Sequence, residues 1–599
     1  MARVDEEVTE LSMIVDGVDF NRVYKAVHTS YEKIDWVRNS VRNLVKEFTG
    51  PAYGGMKGPD KPLNKMNQLI ESYVMLTAAN RPTVEITPKP GKGTYRGFAR
   101  LMQDTTNNLA QEIKLEETIL AAIQDAFFSI GVVKIHRDSY RPLPIGDATI
   151  DPGIPSASVV PIDDWVFDTS AKKWSQIKYC GDKYRIAFAE IEAGVESGMY
   201  DPAVAKLLKP TSKSQTDSDK LERISTGEVT DDDELEPMID MADIWVAKTG
   251  KIYTCAVSDP NTFKLKNIPP LGSIEWKDPD SPPHHILRFS EVPHNILSVA
   301  PASHLDVLDR SINNVARKEI RNVQDQKTVY VYRPQGEDTM KRVTKAGDGV
   351  AVAGDPQDIV ALKTGGVDPN MHQMLIALDQ FFDVQSGNLT SLAGLGSSAD
   401  TLGQEQIIAN ASNRKVGSLQ NKVAAFAGGL FRSLGYMLWE DKILEMSTEI
   451  EVAGYVAADH WKPYEREGNF LDYNFNINVY SLPYTPPAAQ AQLLMSIVER
   501  IFLPMQEMMM AQGGQVDFAL LAEKLSTLFN MPAVSECVKF TAAPEQSESP
   551  ATTTTKPPTT TRNYTRQSIP SQGTPQSRLA ATLTGMQQAS NSVPVQGAA

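Results

Sequence analysis

The architecture follows from residues 301–326, whose sequence is PASHLDVLDRSINNVARKEIRNVQDQ. Their apolar side chains recur at three- and four-residue steps, which places them on one stripe of a helix: Leu305, Leu308, Ile312, Val315 and Val323. At about 100° per residue, Arg310, Arg317 and Arg321 centre roughly opposite that stripe, together with Asn314. The pattern predicts a long helix that packs with one face and presents cations on the other. The alternative is an ordinary solvated face, because basic stripes are common on surface helices.

The elements after this helix follow in a definite order. Short strand-like runs surround the turn Pro334–Gly336, and they are Thr328–Tyr332, Gly349–Ala353 and Ile359–Leu362. A second helix is predicted from Met374, Leu375, Ala377, Leu378 and Phe381, and it ends near Gly387. A Gly/Ser-rich loop then leads to a third helix, which starts in a capping box of Thr401 and Gln404 and runs to about 445. That helix would be roughly 60 Å long at 1.5 Å per residue, with bends predicted at Gly428–Gly429 and Gly435.

The first 300 residues mix helices and strands without a repeating strand–helix–strand pattern. Helices are predicted over Ile34–Phe48, from Leu63 to Asn80 and over 104–129, with strands at Thr83–Thr87 and Gly131–His136 and a hairpin around Thr249–Gly250. Residues 209–237 hold almost nothing to bury and predict an exposed, mobile insertion. The fold class predicted for the whole chain is therefore α+β.

Composition narrows the classes of function. The chain has 599 residues and a formal net charge of −15, which argues against a protein that wraps nucleic acid with its whole surface. Its three cysteines are scattered, which favours a reducing compartment. No apolar run approaches the roughly 20 residues that a bilayer-spanning helix needs, so we expect no membrane partner. The tail 541–599 is rich in Thr, Pro, Ser and Gln and is predicted to be disordered.

Most catalytic motifs are missing from the sequence. It has no Gly-x4-Gly-Lys-Ser/Thr loop, so ATP hydrolysis by this chain is not expected, and no Gly-x-Ser-x-Gly nucleophile elbow. Asp163, Asp164 and Asp168 near Trp165 could hold Mg²⁺ for a nuclease, or they could close a turn beside a buried tryptophan. We therefore predict no enzyme, no metal and no cofactor, and keep a metal-dependent nuclease as the alternative function.

Three strings resemble, in their order, the portal (head-to-tail connector) proteins of tailed bacteriophages, of the short-tailed type. They are TAANRPTV at Thr77–Val84, VVPIDDWVFD at Val159–Asp168, and the segment from Pro293-His294-Asn295 to Pro301-Ala302-Ser303. The resemblance spans roughly residues 20–535. The likeness rests on the order of the three strings, since no single string is diagnostic.

The resemblance implies a portal fold assembled as a ring. Its parts would be an α/β wing over 1–300, stem helices over 301–326 and 368–388, a small β-rich clip over 327–367 and a tunnel loop over 389–403. A wing brace of helix and strands would cover 404–484, and a helical crown 485–535. Similar proteins form rings of twelve at one capsid vertex of the virion, assembled in the host cytoplasm. Double-stranded DNA is packaged and ejected through the ring without base recognition.

The resemblance also assigns roles to residues and partners. Arg310, Arg317 and Arg321 would face the DNA channel, and the tunnel loop would be lined by Asn388, Ser391, Gly394, Gly396, Ser397 and Ser398. The clip docking surface would comprise Arg333, Lys341, Arg342 and Lys345. Implied partners are further copies of the chain, the large terminase, a head-to-tail adaptor, and the major capsid and scaffolding proteins. Three classes of function therefore remain, and they are a structural conduit, a nuclease and a monomeric scaffold.

Overall fold

The computed structural model describes residues 12–477 with gaps at 51–60, 79–81, 141–142, 146–147, 152, 211–235, 279–280, 356, 358, 388–401, 453–454 and 463–464, together with the single positions 496 and 499. Most of the predicted insertion 209–237 and tunnel loop 389–403 lie outside the described residues. The same holds for the predicted crown 485–535, apart from two positions, and for the whole tail 541–599.

The helices alternate irregularly with the strands. They are α1 (Phe20–Lys33), α2 (Asp35–Thr49), α3 (Lys65–Ala78), α4 (Arg96–Glu112), α5 (Leu115–Phe128), α6 (Phe188–Glu196), α7 (Pro202–Ala205), α8 (Ser303–Gln324), α9 (Glu337–Lys345), α10 (Pro369–Ser386) and α11 (Leu402–Glu440). With 39 residues, α11 is about 58 Å long at 1.5 Å per residue.

The strands form small sheets in which every described pairing is antiparallel. They are β1 (Ile14–Val15), β2 (Val18–Asp19), β3 (Val84–Pro88), β4 (Gly131–Asp138), β5 (Leu143–Ile145), β6 (Ala148–Ile150), β7 (Ile154–Val159), β8 (Trp165–Phe167), β9 (Tyr179–Ala187), β10 (Met238–Val246), β11 (Lys251–Asp259), β12 (Lys264–Leu265), β13 (Gly272–Glu275), β14 (His284–Leu287), β15 (Lys327–Tyr332), β16 (Ile359–Thr364), β17 (Met446–Val452), β18 (Tyr455–Trp461) and β19 (Tyr473–Ile477). The largest sheet has the order β12-β11-β10-β9-β8 with β13 beside β11, and a second has the order β14-β4-β7. Two-stranded pairs complete the set: β1–β2, β3–β19, β5–β6, β15–β16 and β17–β18. Antiparallel strands among separate helices confirm the predicted α+β class.

The main hydrophobic core lies where α3, α4, α5 and α11 meet strand β4. Ile123, Val133 and Phe431 are among its fully buried members. Gly435 on α11 lies where a side chain would collide with the ring of Phe475, and Gly429 lies against the imidazole of His285. These glycines, predicted as bend points, permit close packing within a single continuous helix.

Two predictions about local structure are wrong. The single helix predicted over 104–129 is two helices, because the chain turns at Lys114, whose φ of 53° lies in the left-handed region. The strand predicted over Gly349–Ala353 is absent from the described backbone, and the same module contains the unpredicted helix α9. Acidic Glu337 and Asp338 in its first turn and basic Arg342 and Lys345 in its last were the signal, since they complement the helix dipole.

A buried charge cluster joins the two larger sheets. Lys134 on β4 places its ammonium 2.9 Å from an oxygen of Asp182 on β9 and 2.8 Å from an oxygen of Asp243 on β10. His284 on β14 donates from Nε2 to Asp182 over 3.1 Å. Burial alone would raise the pKa of Asp182, but the charge of Lys134 and the bond from His284 lower that pKa to about 2. No sequence motif indicates this cluster, because its members come from four separate strands.

Candidate functional site: a helix pair ending in an exposed ribbon

Helices α8 and α10 pack side by side in opposite directions and are called the helix pair below. At one end, Gln385 donates from Nε2 to the carbonyl of His304 over 3.0 Å. Towards the other end, His372 Nδ1 lies 3.1 Å from a carboxylate oxygen of Glu319. These contacts confirm the predicted helices within 301–326 and 368–388 and align them antiparallel.

Buried polar contacts fasten α8 to the segment that precedes α3. The Lys61 ammonium lies 2.7 Å from Asp309 Oδ2, and both side chains are buried. The Asn313 amide group binds the backbone of Leu63 twice, accepting from its N–H over 3.0 Å and donating to its carbonyl over 2.8 Å. Because the ammonium is paired with a carboxylate and the amide group with backbone groups, this part of α8 has a fixed position.

Removing the Lys61 charge should therefore loosen the attachment of α8 to the segment that precedes α3. In a Lys61→Met chain the Asp309 carboxylate stays buried without a cation, and its Oδ1 already has no hydrogen-bond partner in the described structure. We expect a loss of about 3–5 kcal/mol in the free energy of unfolding, measured by urea denaturation. Lys61→Met/Asp309→Leu should recover most of it, and equal stability of the single variant and the unchanged chain would contradict the buried ion pair.

The C-terminal end of α10, where the chain enters the predicted tunnel loop, is held in place at Ser386. Its carbonyl accepts from the Tyr73 hydroxyl over 2.6 Å and from the Lys415 ammonium over 2.7 Å. Burial raises the pKa of Tyr73 to about 12 and lowers that of Lys415. Gly387 follows with a φ of 97°, where a Cβ atom would lie 2.9 Å from the Tyr73 oxygen, so only glycine fits. The tunnel-loop candidates Asn388, Ser391, Gly394, Gly396, Ser397 and Ser398 lie outside the described residues.

The three predicted channel arginines share the side of α8 that faces away from the core. Arg310 is tied to Asp306 at 2.9 Å and to Glu47 at 3.3 Å, so much of its charge is compensated. Arg317 donates to Asn314, and Arg321 is exposed. Acids therefore compensate much of the cationic stripe at Arg310, and Arg321 extends it as an exposed cation towards the far end of α8.

Strands β15 and β16 form a two-stranded ribbon at the far end of the helix pair. Every residue of β15 is exposed. One face carries four apolar side chains in cross-strand register, and these are Val329, Val331, Val360 and Leu362. The other face carries Tyr330 and Tyr332, which are also exposed. In the part of the chain that the structure describes, both faces of this ribbon are exposed, and an isolated two-stranded ribbon is only marginally stable in water.

Apolar side chains also point outwards along the helix pair. On α10, Phe381 is 62% and Val384 71% exposed, whereas the neighbouring Phe382 is fully buried. Of the apolar residues that predicted this helix, Met374 and Phe381 are exposed, whereas Leu375 and Leu378 pack against the main core. Val307, Ile320 and Val323 on α8 are likewise exposed.

The predicted clip docking residues are all at the surface. Arg333 precedes a short 3-10 helix, and Lys341, Arg342 and Lys345 lie on α9. Lys341 pairs with Glu337 at 2.8 Å, and all four cations are exposed. Their positions are compatible with docking an acidic surface.

The three aspartates of the nuclease alternative have separate structural partners. Asp163 binds Arg42 at 2.8 Å, and Asp164 binds Lys183 at 3.4 Å. Asp168 accepts from the backbone and hydroxyl of Ser170. Among the residues described, no three His, Cys, Asp or Glu side chains stand close enough to hold a metal ion together. This geometry favours the interpretation that the acids close a turn beside the buried Trp165.

Another group of three side chains is linked in the way that a nucleophile, a general base and an orienting acid are linked in some enzymes. Cys180 Sγ lies 3.4 Å from Nδ1 of His284, whose Nε2 donates to Asp182. All three side chains are buried between the sheets, and burial raises the pKa of Cys180 well above its ordinary value. A buried neutral thiol is a poor nucleophile, so this trio acts as part of the charge cluster.

Comparison with known proteins gives little beyond these observations. No protein-family model and no curated protein matches the sequence. One solved structure, described as "Virion of native gene transfer agent (GTA) particle", is similar with a TM-score of 0.32 and 12% identity, covering 80% of this chain and 94% of that chain. A similarity this weak carries no conclusion about fold or function. None of the helices in the described part of the chain is long and apolar enough to cross a membrane.

Proposed function

We propose that the chain is the subunit of a portal ring at one capsid vertex of a tailed bacteriophage, through which double-stranded DNA is packaged and ejected. The proposal combines the order of sequence strings that resemble portals with one structural observation. That observation is the unpartnered apolar surface of the helix pair and ribbon. As a structural conduit, the chain would have no catalytic activity of its own.

The exposed apolar surface supports self-association. A single chain leaves Phe381, Val384 and both faces of the ribbon in water, although the core of the same chain is well filled. Large apolar patches of this kind mark interfaces. An interface repeated head to tail around an axis closes a ring, and the helix pair would then line its centre.

The charge pattern supports a conduit that guides DNA and releases it. Each phosphate contact adds to affinity, so a channel with many cations would grip the duplex. Here Arg310 is compensated by acids, and Arg317 donates to Asn314, within a chain of net charge −15. Weak contact with phosphates, without base recognition, is the expected result.

The remaining parts of the proposal follow from the resemblance. The ribbon and α9 would form the clip, where Arg333, Lys341, Arg342 and Lys345 dock the terminase and later the head-to-tail adaptor. Residues 389–403 would line the narrowest part of the channel. Residues 485–535 would form a crown facing the capsid interior. At the virion vertex, the ring would contact the major capsid protein.

Mass measurement by light scattering, paired with electron microscopy of the same fraction, tests the proposal. We expect a uniform ring with a central hole wide enough for duplex DNA. A homogeneous monomer at all concentrations, both alone and with capsid and scaffolding proteins, would contradict it and leave the monomeric scaffold as the better interpretation.

Reversing two channel charges should weaken DNA binding and leave assembly intact. For Arg317→Glu/Arg321→Glu rings we expect the slope of log affinity against log salt to fall by about 1 for each lost phosphate contact. The measurement is fluorescence anisotropy of a labelled duplex. Lys206→Glu/Lys209→Glu, which makes the same charge change at two exposed lysines on another part of the chain, is the control. Equal loss in both variants would show a general charge effect and contradict the channel assignment.

A further inference from the structure

A cleft formed partly by the segment just before α8 combines cations with an aromatic ring. It has a volume of about 510 Å³ and lies between the turn after β8 and the segment that follows β14. Its lining includes Lys172, Lys173, Trp174, Arg288, Glu291 and His294. That volume is typical of small-molecule sites, which range over about 300–1,000 Å³.

The charge of the cleft is opposite to that of the whole chain. Lys172 and Lys173 are exposed neighbours, and within the described structure neither has an ion pair. The acid Glu291 lies 3.9 Å from Arg288 and offsets that charge only. Two lysines are therefore available to an anion, in a protein whose formal net charge is −15.

The opposite wall is held in place by its own hydrogen bonds. Arg288 donates from one terminal nitrogen to the carbonyls of Asn295 and Ile296, over 3.3 and 3.2 Å. His294 precedes Asn295 and has a φ of 61°. This is a left-handed backbone conformation that a non-glycine residue adopts only at a cost in free energy. Strain of this kind persists where the surroundings fix it and is concentrated at functional sites.

Trp174 gives the cleft an aromatic surface. It packs on the buried Trp165 with ring centroids 5.7 Å apart, so its position is fixed from behind. Its indole N–H has no hydrogen-bond partner among the described residues. Trp174 is half-buried, and the part of its ring that lines the cleft lies beside the two lysines. An aromatic ring beside lysines is the combination that binds single strands, because bases stack on the ring while the lysines contact phosphates.

We propose that this cleft binds one nucleotide unit of a single-stranded nucleic acid, with its phosphate at Lys172 and Lys173 and its base against Trp174. A single strand is favoured over a duplex because a paired and stacked base cannot reach a ring inside a cleft. A nucleotide is favoured over a lone phosphate because the cleft extends from the lysines to the tryptophan and the His294 wall. The site does not depend on the proposed channel, which uses other residues.

Labelled oligothymidylate, with inorganic phosphate as a competitor, tests the site on the full chain by fluorescence anisotropy. We expect Lys172→Glu/Lys173→Glu to abolish most binding at low salt and to lower the slope of log affinity against log salt by about 1.4, at about 0.7 for each contact with a single strand. The control Lys206→Glu/Lys209→Glu should bind as the unchanged chain does. Trp174→Leu should weaken oligothymidylate about tenfold and leave the affinity for inorganic phosphate unchanged.

Three outcomes would overturn the site. They are absence of oligothymidylate binding, equal loss in the two charge variants, and unchanged oligothymidylate affinity in Trp174→Leu. The particle mass is measured on the same samples. Rings that do not bind oligothymidylate would contradict this site alone. Chains that bind oligothymidylate but stay monomeric even with capsid and scaffolding proteins would contradict the portal proposal alone.

Discussion

Phe381→Asp/Val384→Asp is expected to convert the assembled ring into monomers. Both side chains are mostly exposed in the single chain, so an interface between copies is the natural place for their apolar surface. The core contact of this part of α10 is made by Phe382, which is fully buried, and that contact stays intact. Two carboxylates taken into an apolar interface without cations would cost several kcal/mol at each of its copies.

Light scattering measures the particle mass, and circular dichroism checks that the variant keeps its helices. The matched control is Met75→Asp/Met199→Asp, which changes two apolar side chains of similar exposure on α3 and after α6. The control should assemble as the unchanged chain does. A ring of unaltered mass from the α10 variant would show that the outward face of this helix lies in solvent.

Periodicity predicted the helices and the hairpin well because those features depend on neighbouring residues. The three- and four-residue spacing in 301–326 located α8 to within a few residues. The hairpin predicted around Thr249–Gly250 is confirmed, since β10 and β11 pair antiparallel across that turn, with Val246 opposite Lys251. The end of α10 at Gly387 was likewise visible, since its left-handed backbone favours glycine.

The same spacing cannot say what covers an apolar face. Met374 and Phe381 have the pattern of packed residues, yet the chain leaves them exposed and packs Leu375, Leu378 and Phe382 instead. A residue that packs against another copy carries the same hydrophobic signal as one in the core. The pattern of α10 is therefore consistent with two packed faces, one within the chain and one between copies.

Buried charges were beyond prediction for a different reason. Asp309 falls on the buried side of α8 only because Lys61, about 250 positions earlier, neutralises it. A charged residue in a helix normally indicates a solvent-facing position, so the sequence alone assigns Asp309 to the wrong face. The three aspartates at 163, 164 and 168 were similarly ambiguous until their separate partners were known.

Lys134→Met is expected to destabilise the chain strongly, because Lys134 pairs with two acids. It leaves Asp182 and Asp243 buried with no cation, although Tyr184 and Thr254 still donate to Asp243. We expect a loss of at least about 3–5 kcal/mol in the free energy of unfolding, measured by urea denaturation at neutral pH. Lys134→Met/Asp182→Asn/Asp243→Asn should recover part of it by removing the uncompensated charges.

The pH dependence separates this cause from a simple packing defect. In the unchanged chain the pKa of Asp182 is about 2, below its ordinary 3.8, so its stabilising effect is present above 3.8 and is lost as pH falls towards 2. Without Lys134, burial raises the pKa of Asp182, and the variant is least stable where the Asp182 carboxyl is ionised. The stability difference between the two proteins should therefore shrink as pH falls from neutral to about 4.

The control Lys251→Met removes the partner of Asp16 at the surface and should change stability little at any pH, because exposed ion pairs contribute little. A difference that stays constant with pH would indicate lost packing and contradict the charge cluster.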